Sequence, residues 1–243
     1  MIMKKKKWNR FLSVVVTAAM LVAPLQGFSF VDDLFTTAGV TTKASAQDIA
    51  QTDTSQKIGT YPYFANEPAD CDASAKLGSK QNPLEIANAV QLYNLYYVGK
   101  NAVTNENNVA DSDSGSSYMD CYFKVTGNID LSELKEYNIT EWSGIGAGAY
   151  NGFCGKFDGG SEQGYIISNM TIDTETSLVD KGLFSKVGTG GEIKNVSLKN
   201  PKITGKLSVW SEGCGFLAGK VTSYGTDETA LIENCHILDG SLQ

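Results

Sequence analysis

The chain contains a single histidine, His236, directly after Cys235. Any Cys-His or Ser-His-Asp arrangement would need that imidazole as its base, within hydrogen-bond reach of the nucleophile. Neighbouring residues of a strand point to opposite faces, so Cys235 and His236 are expected to face apart, the thiol inward as an apolar filler and the imidazole in solvent. A lone histidine also excludes an HExxH zinc site by ligand count. Paired carboxylates are the other chemistry to weigh, because two acids flanking a glycosidic bond suffice for hydrolysis. Asp130, Asp158, Asp173 and Asp180 lie near expected turns, but no spacing joins a given pair. The stretch "DSDSG" at 111–115 starts like a calcium loop yet lacks the third ligand before its glycine and the distant glutamate. No catalytic residue, no metal ligand set and no cofactor site is therefore expected.

Three stretches fit the Asn-x-Ser/Thr glycan acceptor pattern, beginning at Asn138, Asn169 and Asn195. Two of those asparagines belong to a different pattern. Ile167-Ser-Asn169-Met-Thr-Ile172, Ile193-Lys-Asn195-Val-Ser-Leu198 and Ile232-Glu-Asn234-Cys-His-Ile237 share the form I-x-N-Φ-x-Φ, with a partial copy at Asn128-Ile129-Asp130-Leu131. The asparagines are 41, 26 and 39 residues apart, within the range of solenoid periods. "GLFSKV" from Gly182 and "GFLAGKV" from Gly215 precede the last two copies as companion strands.

Strand side chains alternate with period two. For Ile193, Val196 and Leu198 all to be buried, the alternation must slip at Asn195, which makes that residue a corner between two short strands. Asparagine tolerates the left-handed backbone such a corner demands. Coils stacked about 4.8 Å apart would then set Asn128, Asn169, Asn195 and Asn234 above one another, their amides bonded as a ladder. Each such bond is worth about 1 kcal/mol net, against roughly 1.5–3 kcal/mol for each buried Ile, Leu or Val. The apolar stack should stabilise the fold while the asparagines set its corners and register.

The runs "WSGIGAGAYNGFCGKFDGG", "YIISNMTID", "GLFSKVGTGGEIKNVSLKNPKITG" and "GFLAGKV…ALIENCHILDG" resemble the GLUG-type repeats of bacterial surface and secreted proteins. "NPLEIANAVQLYNL" and "CYFKVTGNIDLS" resemble the segment that precedes such repeats, so the resemblance covers roughly residues 78–243. It implies an all-β fold, a right-handed parallel β-helix. "FDGGSEQGY" departs from the family's tighter turn, and an altered loop is expected there. The family is defined by repeats and not by catalytic residues, so the resemblance implies a fold and a location more than an activity.

Before the repeats, Lys4–Lys7 and Arg10 precede the apolar run "FLSVVVTAAMLVAPL", the form of a secretory signal. The run is interrupted by Pro24 and is shorter than the roughly 20 residues of a spanning helix. Ala44-Ser45-Ala46 offers a cleavage site, so residues 1–46 are read as signal and leader, 47–80 as an irregular lead-in, and 81–243 as a capping helix plus β-helix repeats, with the chain's last coil left open. Asn82 and Pro83 suit the N-cap and first position of that helix.

Of 20 basic and 27 acidic residues, the leader takes six and two, leaving 14 against 25 and a net charge of about −11. Such a surface disfavours nucleic acid and anionic lipid, and no stable membrane insertion is expected after cleavage. Five cysteines without a C-x-x-C pair do not form a disulfide framework. Trp210, in the insertion "KLSVWSEG", is the candidate aromatic for ligand contact. The expectation is a secreted or cell-surface binding or adhesion module, with an extracellular glycan or a host or cell-surface protein as partner. A carbohydrate-active β-helix enzyme and a structural spacer are the alternatives.

Overall fold

The computed structural model describes residues 57–68, 76–103, 117–175, 180–205, 213–222 and 229–243, all within the unit Gln51–Gln243. The expected signal and leader at 1–46, Cys71, the 111–115 stretch and Trp210 fall outside the described residues.

The chain first forms strand β1 (Leu84–Ile86), then helix α1 (Ala89–Lys100), β2 (Tyr122–Val125) and β3 (Ile129–Asp130). The next passage holds β4 (Lys156–Asp158), β5 (Ile167–Ser168), β6 (Thr171–Asp173) and β7 (Phe184–Val187). A third repeats the order with β8 (Glu192–Lys194), β9 (Ser197–Lys199), β10 (Lys202–Thr204) and β11 (Ala218–Val221), and the last contributes β12 (Leu231–Glu233), β13 (His236–Leu238) and β14 (Ser241–Leu242).

Strands of successive passages pair with each other, always in parallel. The sheets run β1-β2-β4-β8-β12, β3-β5-β9-β13, β6-β10-β14 and β7-β11. Ile145 and Phe153 extend the last sheet by bridging to Phe184 and Val187. The described residues are therefore mostly short strands in parallel sheets, with one α-helix on the N-terminal side. "GLFSKV" and "GFLAGKV" pair as companions, Val187 opposite Val221.

Registers place like residues over like. Leu84, Phe123, Phe157, Ile193 and Ile232 form one column, Ile129, Ile167, Leu198 and Ile237 a second, and Ile172, Ile203 and Leu242 a third. The members from β1 to β10 are buried, whereas Ile232, Ile237 and Leu242 are 40%, 40% and 72% exposed. At roughly 1.5–3 kcal/mol for each buried aliphatic or Phe side chain, these columns dominate the stability.

The helix starts later than the Asn-Pro pair implies. Leu84 and Ile86 alternate with Glu85 as a strand paired to β2, so Asn82 and Pro83 precede β1 and cap nothing helical. Asn88 is the N-cap: its Oδ1 accepts from the Gln91 amide at 3.0 Å, while Gln91 Oε1 accepts from the Ala87 amide at 2.6 Å. This is close to a capping box.

The lead-in is irregular but packed. Phe64 is 1% exposed, and its ring lies 5.3 Å from that of Phe123 and 5.5 Å from that of Tyr118. Buried Asn94 of α1 accepts from Gly59 N at 2.9 Å and donates to Tyr63 O at 3.1 Å. Glu67, 6% exposed, accepts from Tyr118 Oη at 2.6 Å and from the amides of Tyr63 and Phe64 at 2.6 and 3.1 Å. Along the outer edge of β1, Ala65 N donates to Glu85 O and Asn66 Oδ1 accepts from Glu85 N, both at 2.9 Å. That edge is thereby closed to further strands.

Candidate functional site

The repeat asparagines occupy two columns and not one. Asn195, Asn200, Asn169 and Asn234 all have positive φ, between 51° and 58°, as corners require. In the first column Asn195 Nδ2 donates to Asp158 Oδ1 at 3.1 Å, and Asn234 Nδ2 donates to Asn195 Oδ1 at 2.8 Å. In the second, Asn169 Nδ2 donates to Asp130 Oδ1 at 2.9 Å, and Asn200 Nδ2 reaches Asn169 Oδ1 at 3.5 Å.

Pairing explains the division. Ile167 lies opposite Leu198 and Ile172 opposite Ile203, so Asn169 shares its corner with Asn200. Asn128 stands in neither column; its Oδ1 accepts from Ile166 N at 3.0 Å, ahead of β3. The two glycines of "FDGG" serve the first corner. A side chain on Gly159 would meet Asn195 O at 2.7 Å, and Gly160 has φ 71°. The departure at "SEQG" is a 3-10 turn, Ser161–Gln163, before β5.

The acids weighed for catalysis are thereby occupied or apart. Asp158 Oδ1 also accepts from Gly160 N at 3.0 Å, and Asp173 Oδ1 accepts from Glu175 N at 2.8 Å. Asp130, Asp158 and Asp173 belong to β3, β4 and β6, in three different sheets. Asp180 is buried. His236 is exposed opposite Ser197, with Nε2 3.1 Å from Asn234 Oδ1. Cys235 is half-buried, and burial pushes its thiol up, away from the reactive thiolate. Cys121, Cys154, Cys214 and Cys235 are all free thiols.

The outer face of the first sheet carries the groups that can recognise a ligand. Its register sets Glu85, Lys124, Asp158, Lys194 and Glu233 in one column of alternating charge. Beside it run Tyr122, Lys156, Glu192 and Leu231. An open groove of about 400 Å³ lies along this face. Glu192 bonds Lys156 and Lys194, each at 3.2 Å, and Lys194 also reaches Glu233 at 3.6 Å. Lys156 Nζ donates in addition to Gly190 O. Burial pushes Glu192 upward, but hydrogen bonds from Lys194 and Lys156 outweigh it and hold the carboxyl below its ordinary range. The shift favours the ionised form of Glu192, whereas a general acid needs a raised value.

A second open depression, of about 500 Å³, lies beside α1 among Lys57, Tyr93, Tyr96, Tyr97 and Lys100. Lys100 Nζ stands 5.6 Å from the centroid of the Tyr96 ring. Tyr122, Lys80, Lys124 and Lys156 of the first groove carry no motif that marks them in the sequence. Only the register of strands far apart in the chain brings them together.

No family model matches the chain, and no solved structure matches it. Halomucin of Haloquadratum walsbyi is 33% identical over 119 residues, covering 47% of this chain and 1% of that protein. The chain thus spans a very small part of the relative's length. Among the described residues, no helix is long and apolar enough to cross a membrane.

Proposed function

We propose that the chain is a secreted or cell-surface binding module, a right-handed parallel β-helix of GLUG-type repeats. Residues 1–46 act as signal and leader, and α1 with the packed lead-in closes the N-terminal end. The outer face of the first sheet takes an extracellular glycan. The observation that carries this reading is the open groove across β2, β4 and β8 of the five-stranded sheet, lined by Tyr122 and lysines. An aromatic ring and fixed polar groups on regular strands are what sugar recognition requires.

The alternating charges support binding over cleavage. The groove's two carboxylates are each already engaged, Asp158 by Asn195 and Gly160 and Glu192 by Lys156 and Lys194, which favours binding over the free acid pair that glycoside hydrolysis needs. The partial likeness to a protein named halomucin is in keeping with an extracellular setting. The test is a glycan array run beside an assay for new reducing or unsaturated ends. Retention of intact glycan supports the module. Release of such ends would sink it in favour of an enzyme, and a folded protein that retains nothing would leave a spacer.

A further inference from the structure

The groove is not uniform along its length. At the β8 end its lysines are paired with Glu192 and Glu233. At the β1 end stand Lys80 and Lys124, neither of which has an ion-pair partner among the described residues. Lys124 lies in register between Glu85 and Asp158, yet Asp158 points its Oδ1 at the corner, where Asn195 Nδ2 and Gly160 N hold it. Lys124 thus keeps acidic neighbours in register but an ion-pair contact with neither among the described residues. Tyr122, half-buried, shares β2 with Lys124 and lines the same end of the groove.

Resting on the glycan-binding reading above, we infer that this end of the groove is a subsite for an acidic sugar, its carboxylate or sulfate held by Lys80 and Lys124 and its ring against Tyr122. Charge complementarity selects the ligand. Four lysines line the groove against Asp158 and Glu192, on a chain of net charge −7. A local cationic site on an acidic protein favours a short anionic group at contact distance, whereas a polyphosphate chain running past the site meets the surrounding acidic surface within the Debye length of about 8 Å. An acidic peptide fits less well. β2 and β4 are interior strands with both edges paired, so the face offers no free backbone row for strand addition. A sugar ring instead presents an apolar face to tyrosine and its charge at the rim.

The experiment titrates the full-length secreted protein by calorimetry with tetragalacturonate, cellotetraose and a tetraglutamate peptide. Tetragalacturonate should bind, cellotetraose at least tenfold more weakly and the peptide not at all. Lys124→Ala and Lys80→Ala should each weaken tetragalacturonate binding about tenfold, the loss expected for one charge-assisted hydrogen bond. Glu192→Gln, which removes the carboxylate shared by Lys156 and Lys194, should tighten it about threefold. Because that variant gains affinity, misfolding cannot imitate it. Equal binding of both glycans, insensitive to Lys124→Ala, would overturn the acidic subsite and leave the glycan module standing. Binding of the peptide alone would overturn both. A folded protein that binds neither glycan on this panel or on the array would overturn the glycan reading itself.

Discussion

Asn195 and Asn234 are bonded amide to amide, 2.8 Å from Nδ2 of Asn234 to Oδ1 of Asn195, although 39 residues separate them. Asn195 in turn donates to Asp158, so one side chain ties three successive corners together while its own backbone sits at φ 56°. Removing it should cost twice. Asn195→Ala loses both bonds, at about 1 kcal/mol each, and adds roughly 1–2 kcal/mol of left-handed strain. Asn195→Gly loses the bonds without the strain. Urea denaturation should rank wild type above Gly and Gly above Ala, and an Ala variant as stable as the Gly variant would refute the corner role.

The same bonds bear on the three glycan acceptor patterns. Nδ2 of Asn195 and of Asn169 is engaged by Asp158 and Asp130, whereas Asn138 is exposed at the end of a 3-10 turn, with φ 60°. Expressed in a glycosylating host, the protein should carry glycan at Asn138 alone, as read by peptide mass spectrometry. Glycan at Asn195 would mean that its column does not form.

Glu67 clamps the lead-in to the fold through Tyr118 and two backbone amides. Glu67→Ala leaves those donors unsatisfied and should cost about 3 kcal/mol in urea denaturation. Limited proteolysis should then cut near residues 57–68 first. Burial raises the Glu67 carboxyl, against the hydrogen bonds from Tyr118, Tyr63 and Phe64 that lower it. Its stabilising share is therefore full below the unfolded-state value and declines as pH rises through the folded one.

Asp130 behaves oppositely. Burial raises it, but bonds from Asn169 and Ser132 win and lower it, as lysines do for Glu192. Both carboxyls contribute stability above their unfolded values, and that contribution disappears as pH falls through the lowered folded ones. The wild-type melting temperature should drop below the ordinary carboxylate range. Asp130→Asn should flatten part of that drop, and an unchanged profile would contradict the assignment.

Much of this is legible in the amino-acid sequence. The slip of alternation at Asn195, with Ile193, Val196 and Leu198 all buried, follows from period two alone. The level of Asn169 is not, because I-x-N-Φ-x-Φ and the Leu198-Lys-Asn200-Pro-Lys-Ile203 run are nearly the same six-residue form at two successive corners. Only pairing register separates them. Nor could spacing reveal the outer column of Glu85, Lys124, Asp158 and Lys194, since excursions of unequal length intervene between its strands. Glu67 and Tyr118 meet across 51 residues, through a lead-in whose polar composition conceals its packing.

The most direct test of the binding face is lysine footprinting. The full-length protein is acetylated at limiting reagent with and without saturating tetragalacturonate, and each lysine is quantified by mass spectrometry. Lys80 and Lys124 should be protected several-fold, while exposed Lys199, which lies in the second sheet, stays unchanged. Protection at Lys57 and Lys100 beside the tyrosines of α1, with Lys80 and Lys124 fully modified, would contradict the account.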